Sequence, residues 1–430
     1  MAGINRFIFF SVAAPIVLLM NSCSSSQKMK KRIKQGPDSL VQHILDQYPE
    51  QFDTLLRNDD RRIQIIYTQI DRNKNNRPKF TDYYYHVDKA NYFYPASTVK
   101  LPVAALALQK LSELHKKGLD ENSTMITEQS SEGQTAVYND PTTRDGRPTV
   151  AHYIKKIFLV SDNDAFNRLY EFLGQEYINN SLHEMGYEDV QIVHRLNISL
   201  TEKQNRLTNP VRFFDTSSNL IYEQPEFNSK LVTENRTIKM GKGFISDGQL
   251  VNEPFDFASK NRLNLKDLHE ILRSILFPKA LPRKKRFGLR SNDYALLHRY
   301  MGMYPSESNY PGYDSSTTTD THVKFLFYGA EPVVPMAHIR IFNKIGDAYG
   351  FLTDAAYVVD FKNNIEFMVT ATIHCNSDGI YNDDHYEYDS VGYPFLKNLG
   401  RAVYDYEIKR VRKNVPDLSS FKFDWKGSGY

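Results

Sequence analysis

The chain has 430 residues, is 41% hydrophobic and 24% charged, and carries a net charge of +3. That balance excludes a disordered chain, and the length suits one large domain or two to three ordinary ones. The small net charge argues against a nucleic-acid partner, and two cysteines, Cys23 and Cys375, exclude a disulfide framework beyond one bond.

The first feature in chain order is apolar. MAGINR carries one positive charge, Arg6, and FIFFSVAAPIVLLM is too short to span a bilayer comfortably. NSCSSSQK follows, and the whole resembles a bacterial lipoprotein signal. That implies that residues 1–22 are a signal peptide and that Cys23 is lipidated. Residues 23–37 then form a polar tether with too little apolar content to fold alone. The expected location is the cell envelope, lipid-anchored and facing the periplasm or the cell exterior.

Apolar residues recur at three- and four-residue steps over 38–56, which predicts a helix. IQIIYTQI (63–70) and FTDYYYHVD (80–88) predict two strands joined by the turn residues 71–79. The run Asp71-x-Asn73-x-Asn75 starts like a calcium loop. Asn76 stands where that loop needs Gly and no Glu closes it, so a hairpin is the better reading. From Ser97 to about Arg212 the pattern is mostly helical. Residues 214–258 have no steady period and read as an insertion. Helical patterns return at 265–276 and 292–303. Four strand-like segments follow at 323–330, 338–346, 351–361 and 365–375, then a long helical pattern at 393–413. This order predicts an α+β fold. A mainly antiparallel sheet is built from N- and C-terminal strands (38–96 and 331–415) and flanked by helices, with an all-helical subdomain (97–330) inserted.

Ser97-x-x-Lys100 opens the apolar run LPVAALALQKL. Positions three apart share a helical face, so Lys100 can bring its amine to the Ser97 hydroxyl. A lysine made less basic by burial can activate a serine, and a helix N-terminus offers N–H groups to a developing oxyanion. Taken alone, the pattern is that of a polar start to a buried helix. Ser25-x-x-Lys28 and Ser419-x-x-Lys422 show how common it is. Two further clusters give it meaning: Ser161-Asp162-Asn163 before a helical pattern, and Lys344-Ile345-Gly346 at the end of a strand. A strand-like hairpin follows Lys344-Ile345-Gly346, whereas none follows Lys239-Met240-Gly241.

With the local phrases YPASTVKLPVAALAL, DGRPTVAHYI, SDNDAFNRLYEFLG and KIGDAYGFLTDAAYVV, the chain resembles the class A β-lactamase family over roughly residues 60–412. The resemblance implies a β-lactamase-like fold and a membrane-anchored serine hydrolase that opens β-lactam amides through a Ser97 acyl-enzyme. It makes Lys100 the hydrogen-bonded partner and candidate base of Ser97. Ser161 relays a proton to the leaving nitrogen, and Asn163 holds the substrate amide and braces Lys100. Lys344 attracts the substrate carboxylate. The backbone N–H groups of Ser97 and of Asp347, the residue after Gly346, form the oxyanion hole. No cofactor or metal is expected. The expected partners are a small β-lactam or peptidoglycan-derived substrate and the membrane, without nucleic acid.

The chain departs from that family in two places. Ile345 replaces the usual hydroxyl residue, and a donor lost to a charged group costs roughly 1.5–3 kcal/mol. In the loop His194–Glu202, Leu200 falls where the family's deacylating glutamate belongs. Glu202, two residues on, is the candidate catalytic replacement, or else an exposed loop carboxylate. Without such a base, the protein resembles a cell-wall D,D-peptidase or another acyl hydrolase. A non-catalytic binding protein of the same fold is the remaining alternative. His374, Cys375, Asp378, Asp383, Asp384 and His385 match no tight ligand spacing and read as a polar turn.

Overall fold

The computed structural model describes residues 40–234 and 236–426. The expected signal peptide (1–22), Cys23 and the tether (23–37) lie outside them. Among the described residues, no helix is long and apolar enough to cross a membrane.

Helices α1 (Leu40–Leu45) and α2 (Pro49–Leu56) bury Val41, Ile44, Leu45 and Phe52, the stripe expected from their period. Strands β1 (Gln64–Arg72) and β2 (Pro78–Tyr85) pair antiparallel. In the turn between them, the Asn73 side chain accepts from the N–H groups of Asn75 (2.9 Å) and Arg77 (3.0 Å). The Asp-x-Asn-x-Asn run is therefore a hairpin turn. Strands Ile339–Ala348, Phe351–Asp360 and Ile365–His374 complete a five-stranded antiparallel sheet. Its spatial order is 339–348, 351–360, 365–374, β1, β2.

Alternate residues of a strand face opposite sides of a sheet. Leu352, Ala356 and Val358 accordingly pack with α1, α2 and the C-terminal helix Tyr393–Lys409. Ala355, Tyr357 and Val359 join the core of the inserted block. The sheet is thus covered by apolar side chains on both faces.

Residues 323–330 differ from the expected strand. Phe325–Tyr328 is one helical turn, with Leu326 at ψ 127° and Phe327 at φ 81°. All four side chains are buried, so no polar face exists to favour a strand's alternation. The turn rests on the C-terminal helix at Gly400, where a Cβ would run into the Phe327 backbone.

The inserted block is mostly helical but also contains sheet. Thr124–Thr127, Val211–Phe214 and Leu220–Gln224 form three antiparallel strands. Within 214–258, Gly243–Ser246 pairs with Gln249–Val251 and, in parallel, with Ile380–Tyr381. Such short strands carry too few residues to show a period. Packing of Phe255 and Phe257 against Tyr349 and Tyr381 fixes this region beside the C-terminal strands.

Candidate active site

A 3-10 turn, Ala96–Val99, leads into helix α3 (Lys100–Glu113). Residues Leu101 to Leu108 are all buried, so α3 is enclosed rather than amphipathic. The edge strand Ile339–Ala348 runs past the turn. Gly346 permits this approach, because a Cβ there would sit 2.6 Å from the Pro95 oxygen and 3.0 Å from Ser97 N.

Helices α4 (Val150–Val160) and α5 (Asn163–Leu173) meet at Ser161-Asp162. Ser161 ends α4 in the left-handed region, φ 58°, and the Asp162 carboxylate caps α5 by accepting from Ala165 N–H at 2.8 Å. That sharp break brings Ser161 and Asn163 against Lys100.

Lys100 is fully buried, and a buried ammonium is costly without acceptors. Its Nζ donates to the Ser161 carbonyl, to Asn163 Oδ1 (2.7 Å) and to Ser161 Oγ (3.2 Å). Burial lowers its pKa to about 7, against the pull of the Asp162 and Asp347 carboxylates. Lys344 is also buried. It donates to Ser161 Oγ (2.7 Å) and to its neighbour's carbonyl, Ile345 O (2.9 Å). Burial, and then repulsion from Lys100, push its pKa well below the ordinary lysine value. Ser161 Oγ accepts from both lysines, which leaves its own proton to be donated elsewhere.

Ser97 is half-buried and lines a cleft of about 950 Å³ together with Ser161, Asn163 and Asp347. The three hydrogen bonds of Lys100 go to Ser161 and Asn163, so the expected Ser97–Lys100 bond is absent from that set. Asp347 is exposed to the cleft. The surrounding protein raises its carboxyl pKa, and Lys344 and Lys100 oppose that rise.

Glu202 lines the same cleft, but its carboxylate pairs with Arg206 rather than with this cluster. It opens the short helix Glu202–Arg206 and pairs with Arg206 at 2.8 Å, with 68% of its side chain exposed. Leu200 lines the cleft with an apolar side chain. The loop carrying both is held by Arg195, which pairs with buried Glu171 (2.9 Å) and donates to the carbonyls of Gln204 and Leu207. Asn167 clamps the Leu196 backbone from both sides, at 3.0 and 2.8 Å.

Tyr94, His194, His322, Tyr388 and Tyr393 also line the cleft, and motif reading singled out none of them. Tyr94 stands three residues before Ser97, and that proximity is its only signal in the sequence. His194 is committed to structure. Its Nδ1 donates to Arg195 O (2.6 Å), its Nε2 accepts from Asn261 N–H (3.1 Å), and burial lowers its pKa to about 4. The His374 ring packs at a tilt against Phe351, centroids 4.5 Å apart, and Cys375 is buried. Among the described residues, no group of three or more His, Cys, Asp or Glu is placed to hold a metal.

One serine hydroxyl shared by two buried lysines thus sits at the junction of an antiparallel sheet and a helical block. Residues 49–239 match the model of the Beta-lactamase enzyme family. No curated protein matches the chain. Among solved structures, the chain is similar to a β-lactamase from Xanthomonas campestris pv. campestris, at 13% identity and TM-score 0.47, over 84% of this chain and 98% of that one. It is similar to a class A β-lactamase from Clostridium kluyveri, at 15% identity and TM-score 0.45, over 84% and 98%. A PBP-A variant in an acyl-enzyme complex with penicillin G is similar at 14% identity and TM-score 0.46, over 86% and 97%.

Proposed function

We propose that this protein is an acyl hydrolase of the class A β-lactamase type that forms a Ser97 acyl-enzyme readily and hydrolyses it slowly. The observation that carries the reading is the shared coordination of Ser161 Oγ by Lys100 and Lys344 in the cleft beside Ser97. Ser97 Oγ bonds to the lactam carbonyl carbon, the C–N bond breaks, and the serine proton passes through Lys100 and Ser161 to the leaving nitrogen. A lysine with a pKa near 7 has a lone pair available at neutral pH, which suits it as the acceptor. The N–H groups of Ser97 and Asp347 receive the oxyanion, and Asn163 and Lys344 position the substrate. β-Lactam or penicillin-like small molecules are the substrate class that the matched family implies.

Slow release follows from the loop. Leu200 presents no base to a hydrolytic water, and the Glu202 carboxylate is engaged with Arg206. The same feature favours a second reading, a D,D-peptidase or related acyl hydrolase acting on cell-wall peptides. We also propose a lipid anchor at Cys23, supported by the apolar run before it, which places the enzyme in the cell envelope. Hydrolysis of a chromogenic cephalosporin by the wild type and by Ser97→Ala tests the chemistry. Slow turnover that disappears in the variant supports it, and turnover that survives removes Ser97 from the mechanism.

A further inference from the structure

The proposed chemistry uses the backbone of Asp347 and leaves its carboxylate without a task. That side chain is exposed in the cleft, one residue beyond Gly346, and acts electrostatically on both Lys344 and Lys100. Two features weaken the site for a substrate carboxylate. Ile345 is buried and offers no side-chain donor between Lys344 and Gly346. The Lys344 ammonium is buried and already donates to Ser161 Oγ and to the Ile345 carbonyl. Asp347 meanwhile supplies a counter-charge that an incoming anion would duplicate.

Asp384, Tyr388 and Tyr393 line the same cleft, and the Asp347 carboxylate acts on both tyrosines. Carboxylates flanked by aromatic rings favour a cation and oppose an anion. His322 lines the cleft as well. Lys260 is turned onto the rings of Phe255 (5.6 Å) and Tyr349 (5.5 Å).

We infer that this site selects acyl donors lacking a carboxylate beside the scissile carbonyl, cationic ones above neutral ones, with Asp347 as the specificity-determining residue. The inference rests on the acyl-enzyme reading above and leaves its bond changes as they stand. Ser97 Oγ bonds to the acyl carbon, the bond to the leaving atom breaks, and the serine proton departs with the leaving group.

Benzylpenicillin, its methyl ester and its aminoethyl ester present one lactam with an anionic, a neutral and a cationic substituent. The rate of Ser97 acylation by each is read by intact-protein mass on the full chain and on Asp347→Asn. In the wild type the cationic ester reacts fastest and the free acid slowest. The substitution raises the anionic-to-neutral rate ratio on the order of tenfold. Added salt narrows the wild-type spread, a readout that needs no variant. A wild type that prefers the free acid, or a ratio that the substitution leaves in place, overturns the inference. Acylation of Ser97 at equal rates by all three defeats charge selection alone. Absence of acylation by any of them defeats the acyl-enzyme reading and this inference with it.

Discussion

Lys344 Nζ donates to Ser161 Oγ across 2.7 Å, joining two residues 183 positions apart. The bond ties the edge strand of the sheet to the turn between α4 and α5. Lys100 reaches the same hydroxyl from α3, so three separate parts of the chain converge on one oxygen. Each member of the cluster has its own testable consequence.

The Lys100 amine sets a pH dependence. Its pKa, lowered to about 7, leaves it protonated and unable to accept a proton in more acidic solution. It becomes neutral and competent as pH rises. The acylation rate is therefore expected to climb with pH through about 7 and then level off. In Lys100→Met this limb vanishes and the rate falls by roughly 10²–10⁴-fold. Stopped-flow acylation across pH 5–9 checks both statements (about two units either side of that midpoint).

Asn163 Oδ1 is an acceptor for Lys100 at 2.7 Å. Asn163→Ala removes a hydrogen bond to a charged group, worth about 1.5–3 kcal/mol. Acylation is expected to slow by about ten- to a hundredfold if that loss falls on the transition state. Comparing rate with thermal midpoint separates a lost catalytic contact from general unfolding.

Gly346 is the point of closest approach between the edge strand and the Ser97 turn. A methyl group in Gly346→Ala meets the Pro95 oxygen at 2.6 Å, so strand or turn must shift. A destabilisation of about 1–3 kcal/mol is expected from this overpacking. Labelling of Ser97 should slow as well, because the shift displaces its backbone N–H. Chemical denaturation and mass-detected labelling report the two effects.

Leu200 lines the cleft and falls where the resemblance to class A β-lactamases puts a deacylating carboxylate. Leu200→Glu is expected to shorten the lifetime of the Ser97 adduct by roughly 10²-fold, the lower end of what a placed general base supplies. A pulse of penicillin followed by dilution, with adduct mass read over time, measures that lifetime.

The sequence carried the sheet and the serine site unequally. β1, β2 and the strands from Ile339 to His374 were legible because each is long and rich in β-branched or aromatic residues. Phe325–Tyr328 was not, because four buried apolar residues in a row suit a strand or a helical turn equally. Lys100, Ser161, Asn163 and Lys344 were readable from short motifs, and the structure brings their polar atoms together. Two things were hidden from motif reading. The amine of Lys100 is spent on Ser161 and Asn163 rather than on Ser97, a choice set by which acceptors the fold supplies. The cleft walls from His322, Tyr388 and Tyr393 depend on loop and helix placement that local sequence does not encode.

Slow hydrolysis of a Ser97 acyl-enzyme is tested most directly by mixing the full chain with penicillin, quenching at intervals and locating the adduct by peptide mass. The expected result is one penicilloyl group on the peptide holding Ser97, lost more slowly than it forms, and absent in Ser97→Ala. An adduct on another residue, or no adduct together with no turnover, would contradict it.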